Sequence, residues 1–292
     1  MVKKFLDYMR YERNRSENTI KGYDEDLRAF ESFFKNLDTH LSWESIDSDV
    51  IRDWMESMMD KGNTATTINR RLSALRSLYR FALSRHIIEN DPARGITGPR
   101  CAKPLPQYLR ESEMDRLIDD GQWGGDFNST RARTIILLFY STGMRLSELI
   151  GLNDADVDFA SCQLKVTGKR NKQRIIPFGK ELSQMLEKYI ADRDENVVRQ
   201  DAALLQDDKG RRMTPQQVRR EVQKQLSKVS TLKKRSPHVL RHTFATAMLN
   251  NEAGLESVKK LLGHARLSTT EIYTHTTFEQ LKREYNNAHP RA

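Results

Sequence analysis

Apolar residues at Ile20, Tyr23, Leu27, Phe30 and Phe34 fall three and four apart, the spacing of one helical face, and Ser16 stands ahead of them as a cap. A second stripe, Ile51, Met55 and Met58, follows Ser48 as its expected cap. A third helix is expected from Thr67 to Arg85, with Ile68, Leu72, Leu75, Tyr79 and Ala82 inward. The pattern then breaks. Asp91-Pro92, Gly95, Pro99, Pro104 and Pro106 exclude regular structure. The chain thus divides into a helical domain over residues 1–95, a linker over 96–106 and a second domain over 107–292.

The second domain reads as mostly helical with a small β element. Gln163 to Val166 and Arg174 to Ile176 alternate or run apolar on either side of a loop of hairpin composition, Thr167 to Gln173. Leu204-Leu205, ahead of Asp207-Asp208-Lys209-Gly210, suggests a third short strand. Thr214-Pro215 and Ser236-Pro237 each open a helix, because proline is welcome at the first helical position. Phe278, Leu281 and Tyr285 form a last helical stripe near the end. So short a helix must bury its stripe somewhere, and docking on its own domain is the plain reading. The expected fold is mainly α with a small β-sheet in the C-terminal domain.

The polar face of the third helix changes the picture. It carries Asn69, Arg70, Ser73, Arg76, Ser77, Arg80 and Ser84, and the segment contains no acid. A solvated basic face usually mixes Glu among its cations for pairing. Arg, Asn and Ser alone supply donors for phosphates and base edges instead. Arg70, Arg76 and Arg80 are therefore candidate DNA contacts. Arg100 and Lys103 make the linker basic too, and at about 3.3 Å per residue it covers roughly 30 Å, enough to pass beside a duplex. A net charge of +9 over 292 residues points the same way, toward a polyanionic partner.

Composition narrows the class further. Hydrophobic residues at 37% and charged residues at 30% describe a globular protein with one core per domain. No apolar run has the length to cross a bilayer, and Lys3-Lys4 are followed by no signal-type apolar stretch, so membrane insertion is not expected and a cytoplasmic location is. Cys101 and Cys162 stand far apart, which disfavours a disulfide framework or a zinc site.

Chemistry gathers in the second domain. His238 and Arg241 lie three apart near the positive end of an expected helix, a good place for a phosphate. Leu261-Leu262-Gly263-His264 ends another helix, with Gly263 as its C-cap and His264 just beyond. Ser268 caps a short helix running to Tyr273. Arg145 sits at a Gly-marked break, in Thr142-Gly143-Met144-Arg145-Leu146-Ser147-Glu148-Leu149, where it has an alternative use as a surface pair with Glu148. Taken singly, each of these residues has an ordinary structural use. Phosphoryl transfer needs a nucleophile, donors for the phosphorane oxygens and an acid for the leaving oxygen. Tyr273, then Arg145 with Arg241, then Lys169 supply that set. No Asp-Glu cluster of two-metal type accompanies them, and the histidines lack zinc spacing, so neither metal nor other cofactor is expected.

Those motifs, in that order, resemble the signature of the tyrosine recombinases. Arg145 in its Thr-Gly-Met-Arg-Leu-Ser-Glu-Leu run, Gly168-Lys169 before Arg174-Ile175-Ile176-Pro177, His238 to Thr246, Leu262-Gly263-His264 and Tyr273-Thr274-His275 carry the likeness. It extends over nearly the whole chain and is nearest to the Xer branch. The resemblance implies a two-domain clamp on double-stranded DNA, at a palindromic-type site, with a homo- or hetero-tetramer joining two sites and the terminal helix of each chain docked on a neighbouring protomer. It implies Tyr273 as nucleophile forming a 3′-phosphotyrosine, and Arg145 and Arg241 on the non-bridging oxygens. Lys169 becomes the general acid, with Arg170 and Lys172 alternatives in the same loop. His238 assists proton transfer from Tyr273, His264 donates to the phosphate, and Glu148 steadies Arg145. The expected task is chromosome dimer resolution through a Holliday junction. Integration of a mobile element, relaxation by a type IB topoisomerase-like enzyme, and a DNA-binding module with a dead site are the alternatives.

Overall fold

The computed structural model describes residues 1–102, 107–119, 123–168, 171–263 and 275–292. The chain forms two compact units, Met1–Pro104 and Leu105–Ala292. The first holds α1 (Val2–Asp7), a π-helical turn (Tyr8–Glu12), α2 (Glu17–Leu37), α3 (Ser48–Asp60) and α4 (Ala65–Ser84). Ser16 caps α2, accepting from the Thr19 amide at 3.4 Å. The cap of α3 is Asp47 rather than Ser48: its carboxylate accepts from the Asp49 and Val50 amides at 2.9 and 3.0 Å, and a charged acceptor suits the positive helix end better than a hydroxyl.

The helical stripes meet as expected. Leu27, Phe30, Phe34, Ile51, Trp54, Leu72, Leu75 and Tyr79 are buried together, and Phe30 packs on Trp54 with ring centroids 4.8 Å apart. Ala93 and Ile96 join this core. The chain beyond them stays on α4, where Asn69 Nδ2 donates to Pro99 O at 2.7 Å and approaches Cys101 Sγ at 3.2 Å. Residues 96–101 are thus seated on the first unit rather than free to extend.

The second unit is organised around α6 (Phe127–Thr142). Ile135 to Tyr140 are all buried, so this helix is apolar on every side and lies at the centre. Around it come α5 (Glu111–Ile118), α7 (Leu146–Gly151), α8 (Lys180–Asn196), α9 (Pro215–Val229), α10 (Pro237–Asn250), α11 (Leu255–Leu262) and α12 (His275–Ala288). An antiparallel sheet of order β1-β2-β3 lies to one side: β1 (Val157–Asp158), β2 (Gln163–Thr167) and β3 (Gln173–Pro177). Leu164 pairs with Ile176 and Val166 with Arg174, and these four face inward. The third strand is therefore Val157–Asp158 and not the Leu204-Leu205 segment. Leu204 and Leu205 are buried, but their backbone bonds to loops: the Leu204 amide donates to Leu152 O, and Leu205 O accepts from Met213. Two consecutive apolar residues showed burial but not the partner.

The last helix docks on its own unit. Leu281, Tyr285 and Ala288 are buried in the main core. His289 follows, stacked on Tyr285 with centroids 5.1 Å apart and with Nε2 3.1 Å from Tyr140 O. Arg291 then binds Asp115 and Glu181 at 2.9 and 2.8 Å, and Asp119 as well. Burial depresses His289 to about 4, against the opposing pull of the Tyr140 carbonyl. In the folded chain it is neutral, whereas unfolded it protonates below about 6.5. Stability is then complete above that pH and falls as pH drops from about 6.5 to 4, by about 3 kcal/mol in all. Urea unfolding across this range should show that loss in the wild type and a shallower slope in His289→Gln. Identical slopes would assign the loss to other groups.

Candidate active site

The end of α6 sets the first catalytic candidate in place. Gly143 takes a left-handed conformation, φ 58°, and a Cβ there would lie 2.4 Å from the Phe244 ring. Only glycine satisfies both demands. The chain then turns through Met144 into α7, with Arg145 at its entrance. Glu148, one turn on, accepts from the Arg145 amide at 2.7 Å and from its guanidinium at 2.8 Å. This is no surface pair: the Glu148 side chain is fully buried.

A second guanidinium reaches the same carboxylate. Arg174 lies on β3, at the inward parity shared with Ile176, and donates to both Glu148 oxygens at 2.7 and 3.0 Å. Burial pushes the Glu148 carboxyl up, but the bonds and charge of Arg174, with those of Arg145, more than offset it. The group ends below the usual carboxylate range. The root of the β2–β3 loop also lies here, since a Cβ on Gly168 would be 3.1 Å from Glu148 Oε1. Gly168 N donates to Lys172 O at 2.7 Å, closing the loop that carries Lys169.

The arginines converge on the end of α11. Its last carbonyls have no partner within the helix and carry partial negative charge. Arg174 Nε donates to Leu261 O at 2.9 Å, Arg241 to Leu262 O at 2.6 Å and Arg145 to Gly263 O at 2.9 Å. Three successive carbonyls thus take one guanidinium each. Gly263 again has positive φ, 65°, and a Cβ would press on the Arg174 guanidinium at 3.1 Å. Arg241 also donates to Gly143 O at 2.6 Å. Burial, and then the charge of Arg145, lower its pKa to about 10.

His238 stands in the first turn of α10, as the Ser236-Pro237 start predicts. Its ring lies 4.5 Å from that of His242, edge on. Desolvation, and then the charges of His242 and Arg241, depress its pKa, which favours the neutral imidazole. Arg145, Arg241, Glu148 and the root of the Lys169 loop are therefore brought together. Lys169, His264 and Tyr273 themselves lie outside the described residues, as does Lys103. Arg174 was missed as a site residue in the sequence, although an arginine at the apolar parity of a strand was its signal.

On the first unit, α4 presents less free polar surface than its sequence suggests. Asp26 of α2 binds Arg70, and the Arg71 guanidinium lies 3.7 Å away. Arg76 donates to Ile96 O, and Asn69 is engaged with Ala65 and Pro99. The face is acid-free only within its own segment, because the acid comes from another helix. Arg80 donates to Arg76 O at 3.1 Å and is exposed, as is Arg100. Among the described residues no helix is long and apolar enough to cross a membrane.

Comparison with known proteins agrees with this construction. Residues 107–280 match the Phage integrase family, and residues 2–86 match the Phage integrase N-terminal SAM-like domain. The chain is 37% identical to the tyrosine recombinase XerC of Chlorobaculum tepidum, over 99% of this chain and 94% of the relative. It is 35% identical to the tyrosine recombinase XerD of Oceanobacillus iheyensis, over 100% and 98%. Among solved structures, the XerH site-specific recombinase bound to a palindromic difH substrate matches with a TM-score of 0.71 and 23% identity, over 97% of this chain and 83% of that one. The Tn1549 transposon integrase in complex with transposon right-end DNA matches at 0.72 and 21%, over 97% and 98%. These two likenesses speak to fold alone.

Proposed function

The chain belongs to the phage integrase family, on the Xer branch of the tyrosine recombinases, and from that premise we propose how its residues divide the work. It is a site-specific recombinase, an enzyme that cuts and rejoins DNA strands. Tyr273 attacks the scissile phosphate, its proton passing to neutral His238, and the 5′-oxygen departs with a proton from Lys169. A 3′-phosphotyrosine and a free 5′-hydroxyl result. Attack by the 5′-hydroxyl of a partner strand reverses the step and builds a Holliday junction. The phosphotyrosine conserves the bond energy, so no nucleotide is consumed.

The convergence of Arg145 and Arg241 on one helix end carries this reading. Two guanidiniums from separate helices are held together although their charges repel, an arrangement that makes sense around a phosphate. His264, directly after Gly263, donates to the same non-bridging oxygens. Both domains bind double-stranded DNA at a palindromic-type site, and a tetramer joins two such sites. Among the described residues Arg80 and Arg100 are the best placed outer contacts, Lys103 is a third contact from the sequence alone, and Arg70 and Arg76 reach DNA only with donors left over from their internal bonds.

Chromosome dimer resolution in the cytoplasm is the proposed task, in line with the XerC and XerD relatives. Sequencing the DNA trapped on the protein in cells tests it. Enrichment at one site in the chromosome terminus is expected, whereas scattered junctions would identify a mobile-element enzyme.

A further inference from the structure

We propose that Arg174 is a positioning residue of this active site: it fixes Glu148 and the end of α11 so that Arg145 and Arg241 face the phosphate as a pair. The inference rests on the reading of Arg145 and Arg241 as phosphate-binding residues. Arg174 itself does not reach the DNA. Its side chain is 8% exposed, against 38% for Arg145, and three of its donors end on Glu148 and Leu261.

The geometry explains why an arginine is needed. Glu148 Oε1 receives both Arg174 Nη1 and Arg145 Nη1, while Oε2 receives Arg174 Nη2 and the Arg145 amide. Each oxygen thus bridges the two arginines. Only a planar fork can bind both oxygens and still turn Nε toward a carbonyl on another element. A lysine ammonium is a point charge and cannot hold all three acceptors in those directions. Without the fork, Glu148 is free to close on Arg145 alone and draw its guanidinium away from the phosphate. Leu261 O would lose its partner two residues before Gly263, whose carbonyl Arg145 holds, and three before His264.

Charge points to the same conclusion. Among the described residues, three guanidiniums face the one Glu148 carboxylate. The phosphorane formed when a tyrosinate attacks a diester carries two negative charges. By binding both oxygens of Glu148, Arg174 keeps that carboxylate from being matched by Arg145 alone, so the charge of Arg145 stays available to the phosphorane. Among the described residues, the charged groups facing Glu148 are Arg145 from α7, Arg174 from β3 and Arg241 from α10.

Single-turnover cleavage of a suicide substrate by Arg174→Lys tests the proposal, beside wild type and Tyr273→Phe. A displacement of the arginine pair by about an ångström predicts a rate loss of about 10- to 100-fold. Affinity for a single DNA site should stay within about twofold, because phosphate contacts elsewhere dominate binding. Losing the fork also lets burial raise the Glu148 carboxyl, so the ratio of variant to wild-type rate should fall further from pH 8 to pH 6. Adding Glu148→Gln should remove that extra pH dependence, which a general loss of stability would not do. If Arg174→Lys does not melt cooperatively, Arg174→Gln with Glu148→Gln replaces it, a neutral pair for which a pH-independent rate loss is expected. A wild-type rate in whichever folded variant is measured, or a ratio for Arg174→Lys that is flat with pH, overturns the positioning role. A covalent adduct that survives Tyr273→Phe would instead overturn the recombinase assignments on which the proposal rests.

Discussion

A nicked suicide substrate should trap the wild-type chain as a covalent protein–DNA adduct and should trap none with Tyr273→Phe. The difference is the largest expected for any single atom in the protein. The nick lets the short 5′-hydroxyl strand diffuse away, so the phosphotyrosine cannot be reversed and accumulates. Phenylalanine keeps the ring and removes only the attacking oxygen. Adduct should therefore fall below about a thousandth of the wild-type amount, in keeping with loss of an essential nucleophile. Binding to the intact site should be unchanged, since affinity rests on many phosphate contacts and one hydroxyl adds little. Tyr273 stands two residues before α12, which Leu281, Tyr285 and His289 anchor in the core of the same unit. Behind it the chain is held at Gly263 by Arg145. An undiminished adduct in Tyr273→Phe would require another nucleophile.

That anchoring separates what the sequence made legible from what it did not. The helical stripe through Leu281 and Tyr285 was plain from spacing, because periodicity reports that a face is buried. Periodicity does not say against what, and here the partners include α10 and α11 of the same unit. Strand order failed for the same reason. Leu204-Leu205 announced burial, while the two-residue strand at Val157–Asp158 is too short to announce anything. The basic face of α4 was read correctly within its own segment. Asp26, which occupies Arg70, is 44 residues away in the chain and lies on the burial side of another helix. Arg145, His238 and Arg241 stood out in the sequence because phosphate chemistry restricts residue type and spacing together, and the structure brings Arg145 and Arg241 to one helix end. Arg174 escaped because its role is set entirely by contacts with Glu148 and Leu261, both distant in sequence.

Lys169 and Arg145 should be told apart by changing one atom of the substrate. Both Lys169→Ala and Arg145→Ala are expected to slow cleavage by about 100-fold or more, the scale of removing a principal transition-state donor. The causes differ. A departing 5′-alkoxide is a strong base and needs a proton as the bond breaks, so the general acid matters in proportion to that need. A 5′-bridging sulfur leaves as a stable thiolate and needs no proton. The phosphorothiolate substrate should therefore restore Lys169→Ala to nearly wild-type cleavage. It should do nothing for Arg145→Ala, because charge on the non-bridging oxygens develops whichever atom leaves. The structure sharpens the comparison, since the Gly168 root of the lysine loop and the Arg145 guanidinium both lie against Glu148. If Lys172→Ala is rescued and Lys169→Ala is not, the acid is Lys172, whose carbonyl closes the same loop. Rescue of Arg145→Ala would mean that its contribution is to the leaving group after all, and the assignment of the arginine pair to the phosphate oxygens would fail.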